Sequence, residues 1–192
     1  MLLLLIVPLS LLLLSGCGGG SPRAERAAQS PALTHYQSSR WGYTVSYPVN
    51  WIRAPRPLAP PRMDPREILS VASVPLRFRH TNCEAWAGSA QQDLGDSDAF
   101  VTVRDGGDLS GADYGSFPRR PDQFDQAPEA SPCPGGRGML QHVRFSDAGR
   151  NFDVLLGFGR KLTDEGRREA YRTLDTLRFD PGKKPGRPAS PK

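Results

Sequence analysis

The hydrophobic pattern of this chain changes period along its length. Leu2 to Leu14 is an almost unbroken apolar run, interrupted by Pro8 and Ser10. From residue 36 the period becomes two. Tyr43, Val45 and Tyr47 alternate with Thr44 and Ser46, which predicts a half-buried strand, and Tyr36 to Ser38 precedes it across Ser39-Arg40-Trp41-Gly42 as a hairpin partner. Pro48 ends that strand. Residues 54–65 hold five prolines and are predicted to be loop, and Ile68 to Leu76 is apolar enough for another strand. Asn82 is placed to cap a helix whose face carries Cys83, Trp86, Ala90 and Leu94. Ala99 to Arg104 reads as a strand closed by Asp105-Gly106-Gly107. Arg137 to Phe145 and Asn151 to Phe158 flank Ser146-Asp147-Ala148-Gly149-Arg150 as a hairpin, with Phe152, Val154, Leu156 and Phe158 on one face. Thr163 is placed to cap a last helix with Asp164 and Glu165 at its positive dipole end and Ala170, Tyr171, Leu174 and Leu177 as its buried stripe. Strands, helix, strands, helix in that order predict an α+β fold, an antiparallel sheet covered by helices.

Composition changes this picture mainly at the ends. Of 192 residues, 38% are hydrophobic and 8% aromatic, enough for one modest core, while 20 glycines and 19 prolines gather in 16–22, 48–65, 105–138 and 181–191. The opening apolar run is thirteen residues long. As a helix that is about 20 Å, short of the roughly 30 Å hydrocarbon core, so it suits a signal peptide better than a membrane span. It ends in Leu14-Ser15-Gly16-Cys17, which closely resembles the bacterial lipobox, although no Lys or Arg precedes the run. The resemblance implies cleavage after residue 16 and a diacylglyceryl group (with a fatty acid such as palmitate) on the Cys17 thiol. Two acyl chains anchor a protein stably where one binds reversibly. Residues 17–33, beginning Cys17-Gly18-Gly19-Gly20, read as a flexible tether of about 20–25 Å end to end. Residues 34–180 are the folded domain, and 181–192 are expected to be a disordered basic tail. The expected location is the extracytoplasmic face of the cell membrane.

The formal charge of +5, carried mostly by Arg, favours contact with anionic lipids or an acidic component of the envelope. Export removes the chain from nucleic acid, which is therefore not expected as a partner. Outside the cytoplasm two remaining thiols normally pair, so Cys83 and Cys133 are expected to form a disulfide. Such a bond closes a loop of about 50 residues and constrains the unfolded chain by roughly 4 kcal/mol in the loop-entropy model. The rivals are free thiols or a metal site built on His80-x-x-Cys83, for which the third and fourth ligands are missing from the motif. No cofactor is expected.

Motifs for catalysis are absent: no Gly-x-Ser-x-Gly, Ser-x-x-Lys, His-Glu-x-x-His or phosphate-binding glycine loop occurs. Asp93, Asp96 and Asp98 beside Gly95 read as a solvated turn rather than a calcium loop. The segment 105–136 is far longer than an ordinary connection, and long loops tend to carry function. It interleaves Tyr114, Phe117 and Phe124 with Arg119 and Arg120, a mixture suited to recognising a protein partner or an anionic group. Those five residues are the candidate binding set, and deletion of 110–128 is expected to spare the fold. The sequence therefore predicts a membrane-anchored, non-enzymatic binding or interaction module. The alternative is an envelope hydrolase or other enzyme with dispersed residues, including His80 and His142; its mark would be His35, His80, His142 and a carboxylate in one cleft.

Two segments carry a family resemblance. Trp41-Gly42-Tyr43-Thr44-Val45-Ser46-Tyr47-Pro48 with Trp51 resembles the opening of PsbP-like domains, and Ala170 to Phe179 resembles their last helix. The hairpin around Ser146-Asp147-Ala148-Gly149-Arg150 is also similar to proteins secreted by actinobacteria. The resemblance implies an α/β/α sandwich and a scaffold that binds rather than catalyses. It carries no partner, because no binding residue of the family can be matched to a position here.

Overall fold

The computed structural model describes residues 32–58, 66–77, 88–107, 117–126, 129–130 and 136–183. Cys17, Cys83, Cys133, His80 and Tyr114 lie outside the described residues, as do the apolar run, nearly all of the tether, residues 184–192 of the tail and the first part of the helix expected from Asn82. The elements in order are β1 (Leu33–Ser38), β2 (Tyr43–Pro48), β3 (Ile52–Arg53), β4 (Arg66–Ala72), α1 (Gly88–Asp93), β5 (Ala99–Gly107), β6 (Glu129–Ala130), β7 (Met139–Asp147), β8 (Arg150–Phe158), α2 (Asp164–Thr176) and β9 (Arg178–Phe179).

All pairings among these strands are antiparallel, and they form two sheets. The small sheet has the order β1-β2-β9, and the large one β3-β4-β5-β8-β7-β6. The expected α+β sandwich, a sheet covered by helices, is not what forms. The described structure is mostly β, with one helix of thirteen residues and one of six. The cause is what covers each face of the large sheet. One face buries Leu69, Val71, Val101, Val103, Phe152, Val154, Leu156 and Phe158 against α2 and also against Tyr43, Val45 and Tyr47 of the small sheet. A second sheet thus occupies ground that the sequence pattern assigned to a helix. The other face packs Ala72, Phe100, Leu140 and Leu155 against Ala90 and Leu94 around α1 and against Leu58 and Leu76 from non-helical segments. An apolar stripe records that it must be covered, and not by which kind of element.

Local signals fare better. β7 and β8 pair from Met139↔Phe158 to Asp147↔Arg150, so the connection is the two residues Ala148-Gly149. Both have positive φ, 51° and 72°, the backbone of the tight hairpin turn whose twist matches that of the strands. Gly157 sits opposite Phe100, and a Cβ there would meet the Phe100 ring at 2.1 Å, so the absent side chain makes room for the aromatic. α2 starts where expected: the Thr163 hydroxyl accepts from the Gly166 amide at 3.2 Å, and Ala170, Tyr171 and Leu174 are buried.

A buried arginine, paired with a carboxylate of its own sheet, ties the two sheets. Arg150 donates to Asp105 at 2.5 Å and to the Trp41 carbonyl at 2.9 Å, while its guanidinium lies over Phe152 and Phe179, whose rings stack at 3.7 Å. Phe179 belongs to β9, which pairs with β2 at Tyr43, so the C-terminal strand closes the N-terminal hairpin.

Candidate functional site

The long loop holds a docked segment, residues 117–126. At its start it runs beside β7: the Ser146 amide donates to the Pro118 carbonyl at 2.7 Å, and the Arg120 amide donates to the Ser146 carbonyl at 3.0 Å. The Ser146 hydroxyl adds a bond to the Phe117 carbonyl at 3.0 Å. Further on, Phe124 is buried against Phe145 at 5.3 Å between ring centres, and its amide donates to Asp175 on α2 at 2.7 Å. Arg120 spans the gap. Its guanidinium donates to the Leu174 carbonyl at 2.6 Å and to Asp147 at 3.3 Å, and it lies over the rings of Phe124 and Phe145. Burial lowers the Arg120 pKa from its usual value, and Asp147 opposes that shift.

Between this segment, the β7–β8 turn and β9 lies a surface cavity of about 540 Å³, lined by Arg119, Arg120, Pro121, Asp122, Ser146, Asp147, Ala148, Gly149 and Arg178. That volume is in the range of small-ligand sites. Arg120 is spoken for by Asp147 and Leu174. Arg119 is exposed, and its guanidinium makes no hydrogen bond or ion pair with a described residue. Arg178 donates to the carbonyls of Asp175 and Leu177, the latter at 2.9 Å, and remains exposed. The arrangement offers two accessible guanidiniums beside a third held rigid by packing. Guanidinium groups bind carboxylate or phosphate oxygens through paired N–H donors.

Of the candidate residues from the sequence, Tyr114 lies outside the described residues, and the other four share the segment 117–126 but only Arg119 and Arg120 line the cavity. Arg119 faces the cavity and Arg120 forms its wall. Phe124 belongs to the core, so it cannot meet a ligand and a deletion of 110–128 cuts into the fold. Phe117 sits 5.9 Å from the Arg144 guanidinium. Arg178, Asp122 and Asp147 were not singled out in the sequence. Arg178 follows the last helix by two residues, and only the pairing of β9 with β2 brings it here.

A second polar group lies on the large sheet. Asp153 is directly opposite Arg104 on β5 and Arg144 on β7, with His142 one diagonal away. Arg104 and the His142 Nε2 both hydrogen-bond to its carboxylate, and Arg144 Nε stands 3.6 Å off. Burial pushes the Asp153 carboxyl up, but the bonds and charges of His142 and Arg104 outweigh burial and hold it at about 2, against the usual 3.8. The Ser70 hydroxyl donates to Glu67 at 2.6 Å and lies 3.1 Å from the Thr102 hydroxyl, from which it can accept, extending the polar row across the sheet.

The two described histidines do not gather, and His80 lies outside the described residues. His35 is on the small sheet, where Nδ1 and the Ser46 hydroxyl are 2.7 Å apart, and His142 is on the large sheet with Asp153. The aspartates near Gly95 are used separately: Asp98 accepts from the Gly95 amide and Ser73, Asp96 pairs with Lys161, and Asp93 accepts from the Arg77 amide. Among the described residues no group of three or more His, Cys, Asp or Glu is placed to hold a metal ion. No family model matches the chain, and comparison with curated proteins and with solved structures finds no match either.

Proposed function

We propose that this chain is an extracytoplasmic lipoprotein, anchored through Cys17, whose domain binds an anionic ligand in the cavity between Arg119 and Arg178. The ending Leu14-Ser15-Gly16-Cys17 of the apolar run supports the anchor. One observation carries the ligand class: two exposed guanidiniums flank a cavity whose wall, Arg120, is fixed by Asp147, Leu174 and two aromatic rings. A rigid wall lowers the ordering cost of binding. No reaction is assigned to the site.

An enzymatic reading has the His142–Asp153 pair in its favour, since a carboxylate holding an imidazole is one half of many general-base arrangements. No hydroxyl of a described residue hydrogen-bonds to that ring, and the binding reading needs no such partner.

The test uses the detergent-purified lipoprotein with short polyphosphate and polyglutamate as fluorescent probes. R119E/R178E is expected to weaken binding of at least one probe tenfold or more, while R77E/R160E, with the same change of net charge, leaves it nearly unchanged. Equal loss in both double variants would reduce the effect to net charge, and no loss in either would remove the cavity from the account.

A further inference from the structure

Arg178 lines two cavities. Beside the arginine cavity of about 540 Å³ lies a second of about 300 Å³, bordered by Ser39, Gly42, Thr44, Asp180 and Lys183 as well as by Arg178. It is built where the β1–β2 turn is clipped to the chain that follows β9. The Gly42 amide donates to the Ser38 carbonyl and the Asp180 amide to the Gly42 carbonyl, both at 2.9 Å. Gly42 has a φ of 60°, and a Cβ there would meet the Cβ of Lys183 at 2.8 Å, so the bare turn seats the lysine stem. The Lys183 ammonium makes no hydrogen bond or ion pair with a described residue.

Both signs of charge line the joined surface. Arg119, Arg120, Arg178 and Lys183 are basic, whereas Asp122, Asp147 and Asp180 are acidic. A polymer that carries only negative charge meets those carboxylates as repulsion. A carboxylate is an acceptor with about four lone-pair sites, so the Arg120 bond to Asp147 and the Gly182 amide bond to Asp180 leave sites on both for further donors. Asp122 is exposed. We infer that the two cavities form one trough for a linear acidic glycan, an inference that deepens the anion-site reading above and rests on it. Its carboxylates go to the guanidiniums and the Lys183 ammonium, and its hydroxyls donate to the aspartates. A sugar unit in the second cavity binds as part of a chain already held in the first, so affinity rises once a chain spans both.

The test measures fluorescence anisotropy of labelled trigalacturonate, octagalacturonate and octaglutamate with the detergent-purified lipoprotein. Octagalacturonate is expected to bind at least tenfold tighter than trigalacturonate and than octaglutamate. Lys183→Ala should remove most of the gain with length and leave trigalacturonate within twofold. Arg160→Ala, the same change of charge beyond the opposite end of β8 from the arginine cavity, should keep the gain. Asp122→Ala separates hydroxyl recognition from charge. Loss of a negative group eases the approach of any anion, so charge alone would tighten both octamers. The trough instead requires octagalacturonate to weaken at least threefold while octaglutamate tightens. Tightening of both octamers, a length gain that survives Lys183→Ala, or an equal loss in Arg160→Ala would overturn the trough. Octaglutamate binding as well as octagalacturonate would end the glycan assignment and leave the anion site standing. If neither octamer nor polyphosphate binds the wild type, the anion-site reading fails and the trough with it.

Discussion

Asp153 shows how much one side chain organises here. Its carboxylate lies between two directly opposed arginines and a diagonal histidine, so two otherwise repelling guanidiniums share one face of the sheet. Removing one member of a buried ion pair leaves the other uncompensated, at a cost of roughly 3–5 kcal/mol. Asp153→Asn should therefore lower the urea midpoint markedly, and an unchanged midpoint would show that the pair is structurally idle. The same residue sets an acid limb. Its folded pKa is depressed, so its contribution is complete above the unfolded value near 3.8 and is lost as pH falls toward about 2. Linkage puts that contribution at about 2 kcal/mol. Chemical denaturation between pH 5 and pH 2 should show this loss in the wild type and a flatter profile in Asp153→Asn. None of this was legible in the sequence. An alternating strand tells which residues share a face, but Asp153, Arg104 and Arg144 meet only once the strand order β5-β8-β7 is known.

Among the elements, those with local chemistry were legible. The Thr163 cap with its acidic first turn and the Ala148-Gly149 turn each rest on neighbours in sequence, and each forms at that position. The segment 117–126 has no such local signature. Its composition of Arg, Pro, Asp and Phe reads as solvated, yet Phe124 is buried and Arg120 is clamped. Phe124→Ala should cost about 3–5 kcal/mol, the usual range for a core phenylalanine, and should expose the segment to limited proteolysis. Stability within error of the wild type would mean that the segment lies on the core without belonging to it. The arginine cavity depends on the same docking, since the segment's anchorage brings Arg119 into a lining shared with Arg178.

For the whole molecule, the sequence reading assigned the covering of the sheet to helices, whereas one face of the large sheet is covered in part by the small sheet β1-β2-β9. The most specific message of the sequence concerns Cys17. Replacing Cys17 by Ser should move the protein from the membrane fraction to the soluble one, or leave an uncleaved precursor of slower mobility. A variant that fractionates and migrates as the wild type does would end the lipoprotein reading.

The closure of the first hairpin by the last strand has a consequence for timing. Tyr43 meets Phe179 across 136 residues of chain, and Phe179 also completes the stack with Phe152. The core therefore stays open until almost the entire chain has been synthesised, and contacts of such long sequence separation form slowly. A polypeptide that cannot close early remains threadable. Under the lipoprotein reading proposed above, export before folding would gain that interval from the position of Arg178 and Phe179.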